Sequence, residues 1–108
     1  PWVQIDFGRA KRVNEIKIRE GAGSSVIRYS IDCWDSKTSR WTSCFNGREI
    51  GSEFVAPIVS RITSKVRLRI IRTSSGAPVI TEFSAYNDTR GKAFNLRRGQ
   101  QMPLVIGK

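Results

Sequence analysis

A chain of 108 residues with a hydrophobic fraction of 39% is sized for one small domain around one core. Its 19 Lys and Arg against 9 Asp and Glu leave a net charge of +10. That balance attracts polyanions such as acidic glycans, anionic lipid or nucleic acid, or else makes only a soluble basic surface. The chain has no histidine, which removes the commonest general base and zinc ligand, and no apolar run nears the roughly 20 residues of a membrane-spanning helix.

Residues 2–8 alternate, with Val3, Ile5 and Phe7 on one side, and Gly8 ends the predicted strand. Trp2 is expected in the core. Residues 9–12 read as a basic turn. Residues 13–20 form the second predicted strand, Ile16 and Ile18 inward, Lys17 and Arg19 outward. Gly21 to Ser25 is a flexible loop. The third strand covers residues 26–34, with Ile27, Tyr29, Ile31 and Cys33 on one face and Arg28, Ser30, Asp32 and Trp34 on the other. A polar turn at residues 35–40 returns the chain through residues 41–45, which predicts a β-hairpin. Asn46-Gly47 is a further turn signal.

Residues 48–64 are less periodic. Phe54, Val55, Ile58 and Val59 are expected to cap the end of a sandwich, and Pro57 argues against a central strand. The clearest strand follows at residues 65–71. Val66, Leu68 and Ile70 face a core, while Lys65, Arg67 and Arg69 form a ladder of positive charge. Residues 79–86 give a last strong strand, in which Ile80 shares a face with Phe83 only if a bulge intervenes. Residues 88–108 are read as a basic extension to the domain of residues 1–87, with one short strand at residues 104–106. Short strands joined by Gly, Ser, Asn and Pro turns predict an all-β, antiparallel sandwich or barrel.

The stretches Pro1-Trp2-Val3-Gln4-Ile5-Asp6-Phe7-Gly8, Val13-Asn14-Glu15-Ile16-Lys17-Ile18, the hairpin from Tyr29 to Trp41, Lys65-Val66-Arg67-Leu68-Arg69-Ile70, and Pro78-Val79-Ile80-Thr81-Glu82-Phe83-Ser84-Ala85-Tyr86 resemble the discoidin domain. This is the C-type domain of coagulation factors, a galactose-binding-like module. Arg19-Glu20-Gly21 and Gly47-Arg48-Glu49-Ile50-Gly51 look closest to the module appended to family-29 α-L-fucosidases. The resemblance implies a jelly-roll β-sandwich whose N-terminal strand and calcium-binding loop are missing. It implies a secreted, non-catalytic, lectin-like module that holds a parent enzyme or adhesive protein on a glycan of fucose, galactose or acidic type. The chain would then be either a fragment or one piece of a complex in which a parent enzyme or an adjoining chain supplies the missing strands. The alternatives are a structural or adhesion piece that binds another subunit, and an electrostatic binder of anionic lipid; nothing points to nucleic acid specifically.

By the same resemblance, sugar contacts fall on Arg19, Glu20, Arg72, Ser74 and Ser75 in loops at one end. Arg offers a planar fork of donors to vicinal hydroxyls, and Glu and Ser accept or donate beside it. A solvated loop is the plain alternative. Trp34 and Trp41 either stack on a sugar face or form a cross-strand pair that steadies the hairpin. Lys17, Arg28, Lys65, Arg67 and Arg69 make a polyanion-binding field, unless Glu15, Glu20, Asp32 and Asp35 pair with them. Small residues at the loop tips argue against membrane insertion. Glu82 matches a calcium ligand of carbohydrate-binding relatives, with the remaining ligands in the missing segment. Cys33 and Cys44 form a disulfide if directly opposed, and two buried thiols fit the pattern equally well. No catalytic constellation appears: Ser and Cys have no histidine partner, and Asp6, Asp32 and Asp35 form no acid/base pair.

Overall fold

A computed structural model describes residues 1–23 and 25–87, and the backbone of residues 105–107. It is all-β and antiparallel. The strands are β1 (Trp2–Glu20), β2 (Val26–Asp35), β3 (Arg40–Gly47), β4 (Phe54–Thr73), β5 (Ile80–Tyr86) and β6 (Val105–Gly107). Their order in the sheet is β3-β2-β4-β1-β5, and β6 pairs with β1.

Two long strands explain the shape. Drawn straight, the 19 residues of β1 would span about 63 Å at roughly 3.3 Å per residue, but the longest molecular dimension is 40 Å. The strand therefore bends. Its pairing with β4 slips between Asp6 and Lys11, where Gly8 takes a φ of 83° that suits glycine. The Asp6 carboxylate accepts the Gly8 N–H at 2.9 Å. Residues 9–12 are thus a bulged bend inside one strand rather than a turn between two.

The bend folds the sheet over on itself as a sandwich. One half pairs residues 2–6 of β1 with Arg69 to Lys65 of β4, flanked by β2 and β3. The other pairs Val13 to Ile18 with Arg61 to Phe54 of β4, flanked by β5. Both contribute to a single buried cluster. Ile5, Ile31, Val66 and Leu68 come from the first half, and Val13, Ile16, Ile18, Ala56 and Phe83 from the second. Each of these Val, Leu, Ile and Phe side chains, fully buried, stabilises the fold by about 1.5–3 kcal/mol.

Three further expectations shift. Trp2 is half-buried outside the core cluster, against Arg67. Val26, not Ile27, enters the core, because the β2–β4 register slips on both sides of Arg28. Residues 54–64 continue β4 rather than capping the sandwich, and Val59 is 79% exposed. Pro57 fits there because this half of β4 pairs with β1 alone among the described residues, and an edge strand tolerates a missing donor. A bulge between Arg19 and Glu20 does bring Ile80 against the core beside Phe83. The expected strand at residues 104–106 corresponds to β6, and residues 88–104 lie outside the described residues.

Candidate functional site

The cationic ladder divides at the bend. Lys17 and Arg19 belong to the half with β5, whereas Arg28, Lys65, Arg67 and Arg69 belong to the half with β2. Arg19 is held by Glu53 at 2.8 Å and by Glu82 at 3.3 Å. Lys17 lies 5.9 Å from the Tyr86 ring centre. In the other half, indoles meet the cations more than carboxylates do. Lys65 Nζ sits 4.5 Å over Trp34, and the Arg67 guanidinium lies 4.1 Å from Trp2 and 4.2 Å from Trp41. Arg67 also donates to Gln4 Oε1 at 3.0 Å, and burial lowers its pKa. Arg69 pairs with buried Asp32 at 3.1 Å. The expected single polyanion field is therefore two separate sets, much of each engaged within the protein.

The loops expected to hold sugar do converge, through structural bonds. Glu20 accepts the backbone N–H groups of Val26 and Gly51, each at 2.9 Å, fastening two loops to the end of β1. Ser74 N–H donates to the Ser25 carbonyl, and Ser25 Oγ lies 3.4 Å from Ser75 Oγ. Glu82 accepts from Arg19 and Ser84. Among the described residues no group of three or more acidic or cysteine side chains is placed to hold a metal ion, so the calcium role of Glu82 finds no companion ligands here. Arg72 lies elsewhere, in a pocket with Arg28.

The hairpin end holds a different arrangement. Trp34 and Trp41 are cross-strand partners with ring centres 5.3 Å apart, edge to face. An open cavity of about 650 Å³ adjoins Trp34 and is lined by Asp35, Lys37, Thr42, Arg61, Ile62 and Ser64, among others. Its volume lies in the usual range for small-molecule sites. Lys37 N–H donates to Asp35 Oδ1 at 2.9 Å, which shapes the turn. Thr63 Oγ donates to the Trp34 carbonyl at 2.8 Å and ties the bend of β4 to the hairpin. Arg61 Nη1 reaches Thr42 Oγ1 at 3.3 Å, but its Nε–H is buried with no partner among the described residues. A buried donor without an acceptor costs about 1–3 kcal/mol. Ile62, 59% exposed, adds apolar surface.

Sequence reasoning singled out Trp34 but missed Arg61, Ile62 and the acid and lysine of the turn. Arg61 and Ile62 lie far from the hairpin in the chain, and the β4 bend brings them to it. Nearby, Cys33 and Cys44 are thiols with Sγ atoms 2.7 Å apart. They are not directly opposed. Cys33 pairs with Thr42, and a register slip between Ile31 and Asp32 turns Cys44 toward it. The shared hydrogen bond and burial push the Cys33 pKa up, and the same bond, aided by Arg61, lowers that of Cys44.

No family model matches the chain, and no curated protein matches it in sequence. Solved structures do share the fold. A family-29 fucosidase of Ruminococcus gnavus in complex with fucose superposes with a TM-score of 0.72 at 21% identity, over 82% of this chain and 18% of that one. Chitosan-binding module 2 of a Paenibacillus chitosanase/glucanase, in complex with chitotriose, gives 0.70 at 18% identity, over 80% of this chain and 69% of the module. Module 1 of the same enzyme gives 0.69 at 22% identity, with 80% and 67% covered. The chain spans about a fifth of the length of the fucosidases it resembles and two thirds of the chitosan-binding modules.

Proposed function

We propose that this domain is a non-catalytic carbohydrate-binding module of discoidin type, which holds a secreted parent protein, such as a glycoside hydrolase, on a glycan. The sugar sits in the cavity beside Trp34. The observation that carries this reading is one cavity that offers Trp34 and Ile62 surface, the Asp35 carboxylate, the Lys37 ammonium, the Arg61 side chain and the hydroxyls of Ser36, Thr42 and Ser64. A pyranose needs that combination: apolar C–H faces to lie on a ring, and hydroxyls to meet donors and acceptors. The fold shared with chitosan-binding modules supports the class but not the ligand. Chitosan is a chain of protonated amines, and a domain of net charge +10 repels it. A neutral fucoside or galactoside suits the cavity better.

Titration calorimetry with neutral oligosaccharides tests this. Binding should change little with salt, and Trp34→Ala and Arg61→Gln should each weaken it about tenfold or more. A wild-type protein that binds no neutral sugar, or a Trp34→Ala variant that binds normally, would refute the site. The alternative of a structural piece draws on the edge of β4, where exposed Val59 lies on a half-strand that, among the described residues, is paired on one side only. A neighbouring chain that adds a strand there would appear as a stable complex in size-exclusion chromatography.

A further inference from the structure

Three arginines stand in a row, on β2, on β4 and just past the end of β3, far from Trp34. Arg28 of β2 is the direct partner of Arg72 of β4. On its other side, Gly47 of β3 pairs with Tyr29, so Arg48, the next residue, falls beside Arg28. Neighbouring strands lie roughly 4.8 Å apart, and the row therefore spans about 10 Å. Like charges placed directly opposite on a sheet are destabilising. No ion pair among the described residues relieves them. All three are exposed, and with Glu49 and Ile27 they line one open pocket of about 560 Å³.

We infer that this pocket is a second binding site, for an oxyanion carried on a glycan: a sulfate ester or a uronate carboxylate. Guanidinium forks bind such groups through paired, charge-assisted hydrogen bonds, and three of them around one concavity exceed what its single carboxylate offsets. Glu49 and the floor of Ile27 suit the hydroxyls and C–H surface of the sugar that bears the anion. A nucleic acid strand would call for aromatic platforms, and none lines this pocket. A membrane would call for apolar spikes, whereas the neighbouring loop tips are Ala22, Gly23, Ser74, Ser75 and Gly76. The site stands whether or not the Trp34 cavity binds a neutral sugar.

The test compares the full chain with Arg28→Gln, Arg48→Gln and Arg72→Gln, and with Arg9→Gln and Arg40→Gln as variants of equal charge change elsewhere. The probes are a heparin-derived sulfated hexasaccharide, its uncharged form (desulfated, N-acetylated and carboxyl-reduced), phosphatidylserine-containing vesicles and oligothymidylate, all at physiological salt. The expected result is binding of the sulfated probe above all others. Each pocket variant should lose about tenfold in affinity. Arg48→Lys should recover part of that loss, and Arg9→Gln and Arg40→Gln should leave it unchanged. Circular dichroism confirms that the exposed substitutions leave the fold intact. Equal losses in the Arg9 and Arg40 variants would mean a diffuse charge effect and overturn the site. So would equal binding of the uncharged form, preference for vesicles or oligothymidylate, or no binding of the sulfated hexasaccharide.

Discussion

At the last turn of β2, one arginine shares a cavity with an indole, an isoleucine, a carboxylate and several hydroxyls. At the first residues of the same strand, three arginines share a pocket with one carboxylate and no aromatic ring. The six residue steps from Arg28 to Trp34 separate these places by about 20 Å. Both rest on the same sheet and core. Their difference lies in what surrounds each guanidinium: Arg61 is half-buried and bonded to Thr42, whereas Arg28, Arg48 and Arg72 are exposed beside one another. Burial makes direction and fit decisive at the first place, and charge density makes anion attraction decisive at the second. Cations between them, on the outer face of β4, are largely satisfied by rings, by Gln4 and by Asp32.

Several perturbations should act on one end and spare the other. The largest expected change in stability is closure of Cys33 to Cys44 by a mild oxidant. An intact mass two daltons lower would show the bridge, and the constraint on the hairpin should raise stability by about 2–3 kcal/mol. The arginine pocket should be unaffected. Gly47→Ala should cost about 1–3 kcal/mol in urea denaturation, because the new methyl would overlap the buried Tyr29 ring. That strain falls next to Arg48, so sulfated-probe binding should weaken while the Trp34 cavity keeps its ligand. Arg67→Met removes contacts with two indoles and should cost about 1–2 kcal/mol by the same assay. It should also loosen Trp41 against Trp34, and so affect neutral-sugar binding alone.

The smallest effect concerns Tyr29, whose buried hydroxyl has no partner among the described residues. Tyr29→Phe should be neutral or slightly stabilising near pH 7. Burial raises the Tyr29 pKa from 10.0 to about 12. The unfolded chain therefore loses this proton first. The preference for the folded state is intact below pH 10 and falls away between pH 10 and pH 12. Thermal denaturation across that range should show a smaller decline for Tyr29→Phe than for the wild type, at both ends of the molecule alike.

The period-two alternation at residues 65–71 made that strand legible, because only a strand puts Val66, Leu68 and Ile70 on one face. The hairpin and the Trp34–Trp41 pair were legible for the same local reason. Bulges hid the rest. A slip around Arg28 exchanged Val26 for Ile27 in the core, and a bend at Gly8 joined two apparent strands into one. That bend also separated Lys17 and Arg19 from the cations of β4, which no local pattern reveals. The Arg19 and Glu20 side chains had the right chemistry for a sugar, but nearby Glu53, Glu82 and the amides of Val26 and Gly51 engage them. Arg48 stood only within the Gly47-to-Gly51 resemblance and was not placed in a site, because an arginine after a glycine has no such meaning until strand register sets it beside Arg28.

The most direct test of two chemically distinct ends is a single glycan array probed with the wild type, Trp34→Ala and Arg48→Gln. The account expects neutral fucosides or galactosides to vanish from the Trp34→Ala pattern alone. Sulfated or uronate glycans should fade from the Arg48→Gln pattern alone. Loss of the same glycans in both variants would show one site where two are described here, and a blank wild-type array would contradict glycan binding at either end.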